Sequence, residues 1–106
     1  SEDMIAKHPE TVRKFLAATA KGYDTAISNP KESVDAIKKN APEADEKLLT
    51  ASANYLSVHY VDKGRAWGLQ DAAIWTEFEK FVREAGLTTK QVDTSKAYTN
   101  DFLPKK

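Results

Sequence analysis

The run HPETVRKFLAATAKGYDTAISN, residues 8–29, constrains the fold more than any other stretch. Val12, Phe15, Leu16, Thr19, Ala20, Tyr23, Ala26 and Ile27 recur at i, i+3 and i+4, a period that places them on one face of an α-helix. Pro9 suits the first helical position, where its missing N–H costs nothing. The spacing predicts a helix over about 9–28. A helix built this way needs a neighbour, because its apolar stripe is stable only when covered.

The same punctuation returns in NPKESVDAIKKN. Asn29 can cap, Pro30 takes the first position, Glu32 sits where a capping box places it, and Val34 and Ile37 face inward. That helix is predicted over 30–39, with Lys38 and Lys39 favouring its C-terminal end and Pro42 discouraging continuation. A third helix is predicted over 45–59, with Leu48, Leu49, Ser52, Tyr55, Leu56 and His59 along one side. A fourth, over 72–85, follows Asp71. Ile74, Trp75, Phe78, Phe81, Val82 and Ala85 form its apolar stripe; Glu77, Glu79, Lys80, Arg83 and Glu84 take the rest, and Gly86 closes it. No stretch alternates with the period of a strand. The expectation is an all-α array of four helices with an extended C-terminal tail, residues 87–106, broken by one helical turn near 93–97.

Composition narrows the function. A chain of 106 residues is one domain at most and has little core to spare. Its 16 basic and 16 acidic side chains balance, which gives no general reason to bind nucleic acid or an anionic membrane. Cysteine is absent, so there is no disulfide framework and no thiolate nucleophile. The opening SEDM lacks the basic and apolar regions of a signal peptide, so an exported parent would be represented here in mature or truncated form. His8 and His59 lie far apart without a metal-ligand motif, and read as a helix-start residue and a half-buried helix residue. No GxSxG, phosphate loop or dinucleotide fingerprint occurs, so no catalytic residue, metal or cofactor is expected.

Three features stand above this background. Gly22 interrupts the first helix at a cost of about 1 kcal/mol relative to alanine, which asks for a close neighbour there. Trp67 lies in the glycine-bounded loop VDKGRAWGLQ beside Lys63 and Arg65. Its ring either stacks on a planar ligand, with the cations meeting an anion, or tucks against the start of the fourth helix. The tail AYTNDFLPKK carries Tyr98, Phe102 and Leu103 without any period, and such side chains need a receiving surface, in this chain or beyond it.

In this order the pieces resemble the C-terminal third of the solute-binding proteins of ABC importers for nitrate, sulfonates, taurine and thiamine-pyrimidine precursors. The carriers are the helix ending in AISNP, the WG before an Asp-started helix holding Trp75, and the terminal YTNDFLP. His8 departs from the family's frequent Asn cap, and Gln70 from its frequent Met. The resemblance covers essentially the whole chain. It implies the helical C-terminal part of a two-lobe α/β periplasmic-binding-protein fold, most of whose strands lie outside this chain. It further implies a small-molecule solute and an ABC permease as partners of the full-length parent, which would be periplasmic or extracellular, lipid-anchored or soluble.

Trp67 and Gly68 are the residues that the resemblance places near the ligand cleft; the tail side chains would anchor a return over the body of the protein. A cleft-wall Trp67 should be largely exposed here and Trp75 buried. Four amphipathic faces deprived of their sheet should promote a homodimer or exchange of helices. The alternatives are an autonomous helical interaction module and a fragment of a thiamine-pyrimidine synthase-like enzyme, for which the chain lacks both cysteine and a motif-matched histidine.

Overall fold

Every α-helix but one among the described residues starts where a side chain meets an otherwise free backbone N–H; the exception follows His8, which makes no such bond, and starts on Pro9. In the computed structural model, which describes residues 1–105, α1 runs over Glu2–Lys7, α2 over Pro9–Ser28, α3 over Pro30–Asn40, α4 over Glu46–Ser57 and α5 over Ala72–Glu84, followed by a 3-10 turn at Thr94–Lys96. Asn29 accepts from the Glu32 amide and donates back to its carboxylate, Asp45 accepts from Leu48, and Asp71 from Ala73. Pro9 and Pro30 fill the first turns of α2 and α3. Among the described residues there is no strand, and the all-helical expectation holds.

The helix count was one short. α1 is too brief to show a period, and its marks are a Ser1 cap on the Met4 amide, an acidic first turn and a Lys7–Asp3 pair at 3.3 Å. α4 also ends at Ser57, two residues before its expected limit, and the chain turns at 58–60.

α3 lies against α4 and α2, α2 also meets α4, and α1 rests on α2. α5 touches none of these four helices; its partner is the 3-10 turn of its own tail. The consequence is a chain with almost no interior. Val34, 5% exposed, is the one apolar side chain that is buried among the described residues. Positions expected to face inward are instead open, including Phe15 at 69%, Leu48 at 70% and Phe81 at 63% exposed. The faces exist as the period requires, but nothing in this chain covers them.

Global dimensions agree. The accessible surface is 8566 Å², against roughly 5,900 Å² for a closed monomer of this mass. The radius of gyration is 17.2 Å, against about 13 Å for a compact domain of this length.

Buried polarity appears where the tail doubles back on α5. Glu79, expected on the solvated side, is 8% exposed; it pairs with Arg83 at 3.0 Å and accepts from the Val92 amide at 3.4 Å. The segment after Gly86, whose φ of +73° lets the chain reverse, covers it.

Val34→Ala should therefore cost this chain about 1 to 3 kcal/mol, whereas Phe81→Ala should change its stability by less than about 0.5 kcal/mol. Chemical unfolding followed by circular dichroism measures both; equal costs would show that Phe81 is already covered.

Candidate functional site

Residues 58–71, between α4 and α5, present the aromatic surface. Gly64 and Gly68 reverse the chain at φ +82° and +77°, values that an L side chain adopts only with strain. Arg65 ties the loop to the start of α5 through Asp71 at 3.6 Å. The loop thereby lays Trp67 on α2, where its ring meets Tyr23 at 5.1 Å with a 37° tilt. Tyr23 in turn meets Tyr60 edge-on at 4.9 Å. Such pairs add about 0.5 to 1.5 kcal/mol beyond the area they bury.

All three rings are half-buried, which corrects two expectations. Trp67 is neither largely exposed nor tucked against the start of α5; it docks on α2. Trp75 is half-buried rather than buried, because α5 has no helix packed against its stripe. Tyr23 and Tyr60 were missed as a site because the period assigned Tyr23 to a core face, and Tyr60 lies just past the last helical residue of α4.

Shallow concave surfaces flank the aromatic cluster. One is formed by Thr19, Gly22 and Ala26 of α2 with Tyr23 and Tyr60. The other lies between Ala17, Ala20, Ala66, Trp67 and Pro104, with Lys21, Asp24 and Lys105 at its edge. A Cβ built on Gly22 meets nothing within 4 Å, so the close neighbour that the sequence asked for is not in this chain.

Gly68 has a structural assignment of its own. A Cβ there would stand 2.9 Å from Leu103 Cδ2, so the glycine makes room for the tail. The remaining tail contacts follow the same plan. Tyr98 stacks on Trp75 at 5.7 Å, Phe102 lies under the Arg13 guanidinium at 4.8 Å, and Arg13 Nη1 donates to the Asp101 carbonyl at 2.6 Å. This chain itself receives the three apolar side chains of the tail, where a missing body had been expected to receive them.

Asn100 is the central link. Its Oδ1 accepts from the Gln70 amide at 2.9 Å and its Nδ2 donates to the Gln70 carbonyl at 3.0 Å, two bonds worth about 1 kcal/mol each. The Gln70 side chain accepts from Trp75 Nε1 at 3.0 Å and donates to the Gly68 carbonyl at 3.1 Å.

The histidines lie elsewhere. His8 is an exposed helix-start residue, as read. His59 is exposed rather than half-buried; it stacks on Tyr55 at 4.3 Å, with Nδ1 2.6 Å from the Tyr55 carbonyl. Among the described residues, no three His, Asp or Glu side chains are grouped to hold a metal ion. No helix of the described chain is long and apolar enough to cross a membrane. Lys31 is held above its usual pKa by its hydrogen bond to Asp35, 2.6 Å away, and by that carboxylate's charge; the pair lies at the open surface of α3.

Comparison with known proteins gives this surface a context. Residues 1–33 match the family model described as NMT1/THI5 like. The riboflavin-binding protein RibY of Chloroflexus aurantiacus is 35% identical over 115 residues, covering 98% of this chain and 31% of that protein. A 4-amino-5-hydroxymethyl-2-methylpyrimidine phosphate synthase of Legionella pneumophila is 23% identical over 106 residues, covering 96% of this chain and 31% of the enzyme. The chain thus resembles the NMT1/THI5-like family over residues 1–33 and a riboflavin-binding protein along nearly its whole length. It spans about a third of the length of the curated relatives it matches.

Gly68→Ala should expel Leu103 from its seat, since positive φ and the 2.9 Å approach act together; strain of about 1 to 3 kcal/mol is expected. Gly64→Ala, with nothing within 4 Å, meets the backbone strain alone. Carboxypeptidase digestion checks this: the tail of the Gly68 variant should be trimmed faster than that of the Gly64 variant, and equal rates would contradict the assignment.

Proposed function

We propose that the chain is the C-terminal helical portion of a two-lobe solute-binding protein that captures a small polar solute and hands it to an ABC permease outside the cytoplasmic membrane. The observation that carries this is the similarity to a riboflavin-binding protein along 98% of the chain. It is supported by the open apolar faces of α2, α4 and α5, which call for a larger body. The parent, as its relatives' family implies, works in the periplasm or at the outer surface, lipid-anchored or soluble.

The relatives' names point to planar heteroaromatic compounds, a flavin in one case and a pyrimidine in the other. An aromatic surface suits that class, because stacking on a tryptophan or tyrosine ring holds a flat ring without demanding a particular hydrogen-bond pattern. In this reading the open part of the half-buried Trp67 ring, a smaller surface than the largely exposed ring expected of a cleft wall, forms part of that wall, and Gly68 leaves room for Leu103 against the turn. The opposing wall comes from outside this chain, so one surface alone holds ligand weakly.

A second reading, self-association of the isolated chain, rests on the open faces of Phe15, Leu48 and Phe81. An autonomous helical module is disfavoured by an interior that amounts to Val34. A synthase reading has the weaker match, at 23% identity.

Flavin-fluorescence titration with riboflavin and calorimetric titration with a hydroxymethylpyrimidine test the proposal. The full-length gene product should bind riboflavin or a hydroxymethylpyrimidine with a Kd of about 1 μM or tighter, and the 106-residue chain alone at least about 100-fold more weakly. Trp67→Ala in the full-length product should weaken binding by about 1 to 3 kcal/mol. Absence of binding by the full-length product to either compound would contradict the ligand class; unchanged affinity in the variant would remove Trp67 from the wall.

A further inference from the structure

The loop that carries Trp67 is not rigid by virtue of its own bonds. Its internal backbone links are the turn bonds from Arg65 to Asp62, at 3.0 Å, and from Leu69 to Ala66, at 3.4 Å. What fixes it is a segment 30 residues away in sequence. The side-chain amide of Asn100 meets both the N–H and the C=O of Gln70, as a neighbouring strand would. A single amide orientation satisfies both partners, so the two bonds fix a direction as well as a distance.

The other contacts converge on the same turn. Leu103 fills the space above Gly68, and Gln70 reaches back to the Gly68 carbonyl and forward to the Trp75 ring, which itself stacks on Tyr98. Arg13 of α2 holds the far end of the tail through Asp101 and Phe102. The tail therefore bridges α2 and the start of α5, and the Trp67 turn lies between these two attachments.

We propose that Asn100 is the positioning residue of the Trp67 loop, its side-chain amide gripping the backbone N–H and C=O of Gln70 so that the indole ring is presented against Tyr23 for the solute. This rests on the reading of Trp67 as a wall of the solute cleft. Asn100 is suited to the task for a chemical reason: an amide offers a donor and an acceptor side by side, matching the C=O and the N–H that the Gln70 residue turns toward it. A carboxylate of nearly the same size offers acceptors alone; it keeps the bond from the Gln70 N–H and turns a bare oxygen toward the Gln70 carbonyl. Asn100→Asp therefore separates the role of the amide from that of mere bulk.

The test uses the full-length gene product and its Asn100→Asp, Asn100→Ala and Trp67→Ala variants at neutral pH. Amide hydrogen exchange and riboflavin titration are measured side by side. Both Asn100 variants should speed exchange at residues 67–70 by at least about tenfold while amides of α3 and α4 stay as in the parent. Both should weaken riboflavin binding by about 5- to 50-fold, less than or equal to the loss from Trp67→Ala. Parent-like behaviour of Asn100→Asp overturns the proposal, because bulk would then suffice. Faster exchange spread evenly through α2 to α5 also overturns it, since the residue would be a general structural support. If Trp67→Ala weakens binding and the Asn100 variants do not, the positioning role falls while the binding reading stands. If none of the variants changes an affinity that the parent does show, Trp67 is not in the wall and both readings fall together.

Discussion

An amphipathic helix is held in place by whatever covers its apolar stripe, and in this chain that covering is mostly missing. Backbone hydrogen bonds and caps define five helices, but neither supplies the burial that makes a helix persist in water. The one apolar side chain buried among the described residues is Val34, on α3, which packs against both α2 and α4. Everything else in the structure follows from that shortage: an expanded surface, a fifth helix with no helical neighbour, and a tail that has to act as a strap.

The strap is built from contacts that do not require a large core. Flat surfaces meet between Trp75 and Tyr98, a cation caps Phe102, and a side-chain amide pairs with the backbone N–H and C=O of Gln70. Each is directional and small, which lets a short segment fix a loop far from it in sequence. The cost of closing such a loop grows only slowly with its length, so a few good contacts suffice to hold it. The proposed function enters at the same place, because the loop that the tail holds carries the aromatic surface proposed to meet a solute.

Much of this was legible from the residues. Prolines at first positions, Asn and Asp caps and the 3.6 period gave α2, α3 and α5 within a residue or so, and the related family with them. What escaped was of two kinds. α1 is a single short cap-to-lysine turn with no room for a period, so only Ser1 and the Lys7–Asp3 spacing mark it. The other kind is tertiary. Periodicity says that Phe15, Leu48 and Phe81 share apolar faces, but not whether the covering partner lies in the same chain. Tyr23 is far in sequence from Tyr60 and Trp67, and the turn at Gly64 and Gly68 brings the indole to α2. The pairing of Asn100 with Gln70 has no local signature at all, since it joins two loops across 30 residues.

The central proposal is that these helices are the cover of a larger body, and hydrogen exchange in two contexts tests it most directly. Amides of α2 and α5 are followed in the isolated 106-residue chain and in the full-length gene product under identical conditions. The account predicts weak protection in the isolated chain, with α5 exchanging within about tenfold of an unfolded peptide, and protection rising by at least about a thousandfold in the full-length product. Strong and equal protection in both contexts would contradict it, because the isolated chain would then hold its helices without any further body.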